Sequence, residues 1–284
     1  MILLVRIEEE MGLRIPLASF NRNSSIDLLN RYIETRKRNC KAEEGGRFWW
    51  YLPGDLFSQV CDFARQHSFT RFSVLLSAYG ILLYQLTRCR EILVGTAYAD
   101  RTVPEFQRIP GYFTNMVALR VAPEEAKTGM EYIRTTATET TEALAHAQYP
   151  FGSLVRELGI DQTGEHPSFF ETMFIMQNWS QASYSSQGVT MEQTELGNHT
   201  AKTDLLLNVL ETGNGCECWF EYPEALFTDI EVAEVCSSFI GILTRLTSGP
   251  EKTVGEITGH EPLSNVAYLI GSGSLLVSCC DHLL

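Results

Sequence analysis

Residues 146–158 read HAQYPFGSLVREL, which places a histidine, two aromatic residues and a proline between one helical pattern and the next. The preceding stretch, GMEYIRTTATETTEALAHAQ (129–148), has helical character, and Pro150 marks where that helix has to stop. His146 then falls in the last turn, where a partial positive charge meets exposed carbonyls. That reading outweighs a role as catalytic base, since no acid and nucleophile constellation stands beside it.

Working outward, LFSQVCDFARQH (56–67) puts Leu56, Val60, Phe63 and Ala64 on one face, the pattern of an amphipathic helix. TRFSVLLSAYGILLYQLT (70–87) is apolar nearly all round and predicts a helix buried in a core. EILVGTAYA (91–99), NMVALRV (115–121) and FFETMFIMQN (169–178) are short apolar, β-prone runs. Between the first two, DRTVPEFQRIPGYF (100–113) has two prolines and no period, and a loop of that length is usually functional or mobile. TDLLLNVLETGNG and CECWFEYPE flank Gly213-Asn214-Gly215, a hairpin signal, and DIEVAEVCSSFIGILTRLT (229–247) is a closing amphipathic helix. The interleaving predicts an α/β chain.

The flanks read differently. SSIDLLNRYIE (24–34) suggests a capped helix, TRKRNCKAEEGG (35–46) is charged and ends in two glycines, and 35–47 is expected to be a linker. After Glu256 the pattern dissolves into LSNVAYLIGSGSLLVSCCDHLL (263–284), so 257–284 is expected to be an irregular tail.

The 284 residues carry a net charge of -13, which disfavours nucleic acid and anionic membrane surfaces as partners, both of which present phosphate. The apolar run Phe72 to Leu86 falls short of the roughly 20 residues that cross a bilayer. Eight cysteines lack both the paired spacing of a zinc site and the density of a disulfide scaffold, so a reduced, cytoplasmic protein is expected. Cys216 and Cys218 alternate in an expected strand and so share a face. The histidines at 67, 146, 166, 199, 260 and 282 are never three or four apart, and the sequence has no nucleophile elbow, phosphate loop or dinucleotide fingerprint.

Read in order, GILLYQLTRCREILVGTAYADR, IPGYFTNMVALRV, HAQYPFGSLVRELG, HPSFFETMFIMQN and TAKTDLLLNVLE with CWFEYPEALFTDIEVAEV resemble successive blocks of the C-terminal half of a nonribosomal peptide synthetase condensation domain. The resemblance runs from about Phe48 to Glu256. LLVRIEEEMGLRIPLASFNRNSSIDLLNRYIE resembles the end of a peptidyl carrier domain, so residues 1–34 are expected to be carrier-like helices.

The resemblance implies a chloramphenicol-acetyltransferase-like α/β lobe over 48–256, half of a two-lobed domain. In the intact domain two thioester-bound chains meet in a tunnel between the lobes and an amine attacks an acyl thioester. It implies tunnel-facing roles for Asp100, Arg101, Asn115, Arg120, Tyr149, Phe151, Gln177 and Asn178. It places a crossover hairpin within 179–200. It also implies carrier domains or other synthetase modules as partners, and a separate N-terminal lobe as one of them. Phosphopantetheine would arrive only on partner carriers, with no covalently bound cofactor on this chain.

The family's catalytic histidine lies in a His-His-x-x-x-Asp-Gly motif and its phosphopantetheine serine in Gly-Gly-x-Ser, and neither motif occurs here. The expected chain is therefore a component without amide-forming activity of its own. The alternatives are the C-terminal half of a split condensation enzyme, and a free-standing acyltransferase using His146 or His199 as base.

Overall fold

The computed structural model describes residues 43–99, 101, 104–109, 111, 113–159, 170–177, 184–186, 189–191, 199–212 and 215–259. The segment 1–34 expected to be carrier-like, Asp100, Asn178 and most of the expected tail lie outside them.

Strand β1 (Glu43–Leu52) leads into helices α1 (Gly54–Gln66) and α2 (Arg71–Thr87), then β2 (Ile92–Ala99), a 3₁₀ turn (Pro104–Arg108) and β3 (Thr114–Val121). Helices α3 (Gly129–Ala145) and α4 (Phe151–Glu157) precede β4 (Thr172–Gln177) and a small ribbon of β5 (Tyr184–Ser186) and β6 (Val189–Met191). The chain continues through β7 (Thr200–Ala201), β8 (Leu205–Thr212), β9 (Gly215–Pro223), α5 (Asp229–Ser248) and α6 (Val254–Thr258). Seven strands form one sheet in the order β3-β2-β4-β8-β9-β1-β7, with β2, β4 and β8 parallel and the remaining pairs antiparallel.

Helix α2 is the centre of the core. Thr70 caps it by accepting the Ser73 N–H at 3.0 Å, and every residue from Ser73 to Leu86 is buried. Leu75, Leu76, Ile81 and Leu82 are fully enclosed, each such side chain contributing about 1.5–3 kcal/mol by leaving water. Its polar groups are matched: Tyr79 Oη shares a 2.5 Å hydrogen bond with Thr172 Oγ1 and donates to Leu205 O at 3.1 Å, and Gln85 Oε1 accepts from Ser238 Oγ at 2.6 Å. Val94, Phe174, Leu207, Val209, Cys218 and Phe220 face this helical layer. Cys216 and Cys218 share that face with their Sγ atoms 3.8 Å apart, as free thiols.

Strand β1 corrects the expected linker, since its first five residues, 43–47, are already paired in the sheet. Gly45 and Gly46 are there for close approach rather than for a turn. A Cβ at Gly45 would strike the backbone of Thr200 and Ala201, and one at Gly46 would sit 2.7 Å from the Tyr222 ring. At the other end α6 runs two residues past the expected boundary at 256, and Ile257 is fully buried. The β8–β9 hairpin forms as expected, Thr212 pairing with Gly215, whose φ of 142° suits glycine. The β5–β6 ribbon lies inside the stretch expected to hold a crossover hairpin, and among the described residues these two strands pair only with each other.

No single helix among the described residues is long and apolar enough to cross a membrane. Helices α1 and α2 pass such a test only as a pair bent by 114°.

Candidate functional site

The C-terminal ends of the parallel strands β2, β4 and β8 point the same way, and in open α/β sheets ligands bind beyond such ends. Strands β2 and β4 pair only at Val94 with Thr172 and Gly95 with Met173. Beyond that, Thr96 to Ala99 and Phe174 to Gln177 extend without a backbone register between them, and the Thr96 hydroxyl bridges the gap by donating to Phe174 O at 2.7 Å. The parting leaves Ala97 exposed and Ile175 and Gln177 half-exposed on the face away from the helices.

Most of the residues expected to line a tunnel collect at this end. Asn115, level with Tyr98 in the β2–β3 ladder, donates through Nδ2 to Ala147 O at 2.8 Å and Tyr149 O at 2.6 Å, and its Oδ1 accepts from Phe151 N at 3.2 Å. One amide thereby fixes the whole passage from α3 to α4. Phe151 stacks on Phe170 at 5.1 Å, and Phe170 covers Gly95 so closely that a Cβ there would lie 2.7 Å from its ring. Tyr149 is exposed and donates to Glu157 Oε1 at 2.6 Å, a bond that together with the nearby negative charge raises its phenol pKa.

Arg101 organises the loop. Its guanidinium donates to the carbonyls of Phe106, Ile109 (2.9 Å) and Gly111 (3.3 Å) and lies 4.4 Å over the Phe113 ring, which in turn stacks on Phe106. Arg120 sits five residues further along β3, about 17 Å from Asn115 at strand rise. It bonds Glu91 and, at 2.9 Å, Glu139. Burial raises the Glu139 pKa, an effect that Arg120 opposes.

His146 is exposed and is the C-cap of α3, its N–H donating to Ala143 O at 3.1 Å. His199, with φ of 54°, gives its carbonyl to Gly45 N at the opposite edge of the sheet, so the two histidines are not brought together. No group of three or more metal-ligating side chains occurs among the described residues.

Two residues at this end escape notice in the sequence. Gln177 Nε2 donates to Asn208 Oδ1 at 3.4 Å, and Asn208 is 6% exposed in the middle of β8. Its cross-strand partner is Trp219, 1% exposed and stacked on Trp49 at 4.4 Å. A lone polar residue inside the run LLLNVL is the only signal that points to Asn208.

Comparisons with known proteins agree on one family. A family model described as the condensation domain matches residues 18–265, beginning inside the segment expected to be carrier-like. Bacitracin synthase 3 of Bacillus licheniformis is 27% identical over 232 residues, and tyrocidine synthase 3 of Brevibacillus parabrevis is 30% identical over 236. These alignments cover 82% and 83% of this chain but 4% of each synthetase.

Among solved structures, holo-AB3403, a four-domain nonribosomal peptide synthetase bound to AMP and glycine, superposes with a TM-score of 0.68 at 13% identity, covering 87% of this chain and 20% of that one. The condensation domain of the monacolin K polyketide synthase MokA gives 0.67 at 20% identity, covering 88% and 58%. The chain thus spans less than two thirds of either structure, and at these identities the likeness is one of fold.

Proposed function

The chain belongs to the condensation-domain family, and on that premise we propose that residues 48–256 act as the C-terminal lobe of an amide-forming condensation domain in a nonribosomal peptide synthetase. The lobe supplies one wall of the tunnel in which two carrier-bound chains meet. The observation that carries this reading is the parting of β2 from β4, with Asn115, Phe151 and Gln177 gathered at the same end of the sheet.

The catalytic histidine comes from residues outside these 284, in the same polypeptide or in a separate lobe, since the His-His-x-x-x-Asp-Gly motif is absent. Alone, this stretch does not form amide bonds. Phosphopantetheine reaches it as the arm of partner carriers, and residues 1–34 are the end of such a carrier domain.

The β5–β6 ribbon supports the two-lobe reading. A two-stranded ribbon is marginal by itself, and one that pairs with nothing else among the described residues is suited to reach across to a second lobe. The free-standing acyltransferase has less to support it, because His146 caps a helix and His199 lies at the far sheet edge. Sedimentation of the chain with a separately produced N-terminal condensation lobe tests the proposal. A one-to-one complex is expected, and two independent species at tens of micromolar would count against it.

A further inference from the structure

The short ladder between β2 and β4 fixes which way their backbone groups point. Successive residues of a strand turn their N–H and C=O to opposite edges, so residues two apart share an edge. Phe174 O accepts from the Thr96 hydroxyl and so faces β2, as do Thr172 before it and Met176 after it. The β2 residue that bonds both Thr172 and Phe174 is the one level with Met173, which is Gly95, and Ala97 and Ala99 share its edge. Beyond Gly95 the register stops. The N–H and C=O of Ala97, the N–H of Ala99 and both backbone groups of Met176 therefore face the parting with no cross-strand partner among the described residues. The Thr96 hydroxyl supplies Phe174 O with the bond that the Ala97 N–H would give in a continued ladder, and Ala99 O accepts from Arg101 N at 2.8 Å.

The parting is open to solvent. Ala97 and Ala99 are exposed and Ile175, Met176 and Gln177 half-exposed, whereas Val94, Gly95 and Thr172, where the strands still pair, are buried. Two alanines have no side chain long enough to cover their own backbone, and the Phe170 ring over Gly95 closes the inner end. Unpaired strand edges with donors and acceptors in alternation take up an extended chain of amides by strand addition. Like groups recur along such an edge about every 6.6 Å, two residues at roughly 3.3 Å each, and an α-peptide keeps that repeat. A pantetheine arm spaces its two amides by a β-alanine and falls out of step with it.

We infer that Ala97, Ala99 and Met176 form a backbone subsite that takes the extended α-peptide portion of a carrier-bound chain as an added strand segment. The inference rests on the condensation-lobe reading for the source of that peptide. Because main-chain atoms do the binding, the subsite tolerates any side chain on the peptide and selects for unblocked amides. The Ala97 N–H turns away from β3, so Ala97→Pro removes a donor from the parting without removing a bond of the β2–β3 ladder.

The test is made on the 284-residue chain without a second lobe or carrier, so a failure here leaves the two-lobe reading standing. Backbone amide resonances are followed while acetyl-Ala-Leu-Ala methylamide is titrated in. Saturable shifts of the Ala97 and Met176 N–H signals are expected. N-methylation of the peptide's leucine amide should weaken binding about 5- to 10-fold, Ala97→Pro should weaken it by a similar factor, and exchanging that leucine for glutamine should change it by no more than about 3-fold. Pantetheine should bind more weakly than the peptide. If Ala97→Pro fails to fold, the wild-type shifts and the N-methyl peptide carry the test. Unmoved Ala97 and Met176 amides, equal affinity for the N-methyl peptide, wild-type affinity in a folded Ala97→Pro, a larger loss on the glutamine exchange than on N-methylation, or tighter binding of pantetheine overturns the inference.

Discussion

Asn115 holds Phe151 through its side-chain oxygen, which accepts the Phe151 N–H at 3.2 Å while the nitrogen of the same amide donates to Ala147 and Tyr149 carbonyls. Two sequence blocks thirty residues apart are one physical unit. Asn115→Ala strands the buried Ala147 carbonyl and should cost about 2 kcal/mol in urea unfolding. Asn115→Asp turns an acceptor toward two carbonyls and should cost at least as much. Equal stability of all three proteins would show that the clamp is not what fixes residues 146–151.

Gly95 is where β2 admits the Phe170 ring, which in turn carries Phe151. Gly95→Ala should lose about 1–3 kcal/mol by overpacking, and adding Phe170→Leu should recover part of that loss. A double-mutant cycle on thermal unfolding reads the coupling, and strict additivity would place the ring elsewhere.

Arg101 serves three carbonyls and one ring, a pattern that needs a planar fork. Arg101→Lys keeps the charge but cannot reproduce those bonds. Amide exchange over residues 104–109 should accelerate several-fold while the exchange of α2 stays unchanged.

Capping boxes at Thr128 and Thr253 hold Glu131 and Glu256, whose pKa values fall below the usual 4.5 because the cap backbone N–H and hydroxyl bond the carboxylates. A depressed folded-state pKa means stabilisation that is fully present above the unfolded value and lost as pH falls through the folded one. The Glu131→Gln, Glu256→Gln double variant should therefore be less stable than the parent at pH 7 and converge with it as pH drops below 4.5. A pH-independent difference would contradict the caps' ionic character.

Local elements were legible where burial imposes a period. The all-apolar 70–87 run became the central helix α2, and the Gly213-Asn214-Gly215 signal became the β8–β9 hairpin. Strand β1 was hidden because Gly45 and Gly46 look like a turn, and only the proximity of Ala201 and Tyr222 explains them. The sheet order was hidden too, since nothing local says that β4 inserts between β2 and β8. The site was legible as a set of blocks. The roles within it were not: Arg101 and Asn115 bind backbone, while Asn208 and Trp219 meet only through strand register.

The proposed lobe assignment puts the catalytic histidine outside this chain. Its most direct test is mass spectrometry of carrier-bound product after two aminoacyl carriers are mixed with the chain, with and without a separate N-terminal condensation lobe. Dipeptidyl carrier is predicted only when both lobes are present. Dipeptide formed by the chain alone, and abolished by His146→Ala, would show that the chain carries its own catalytic base.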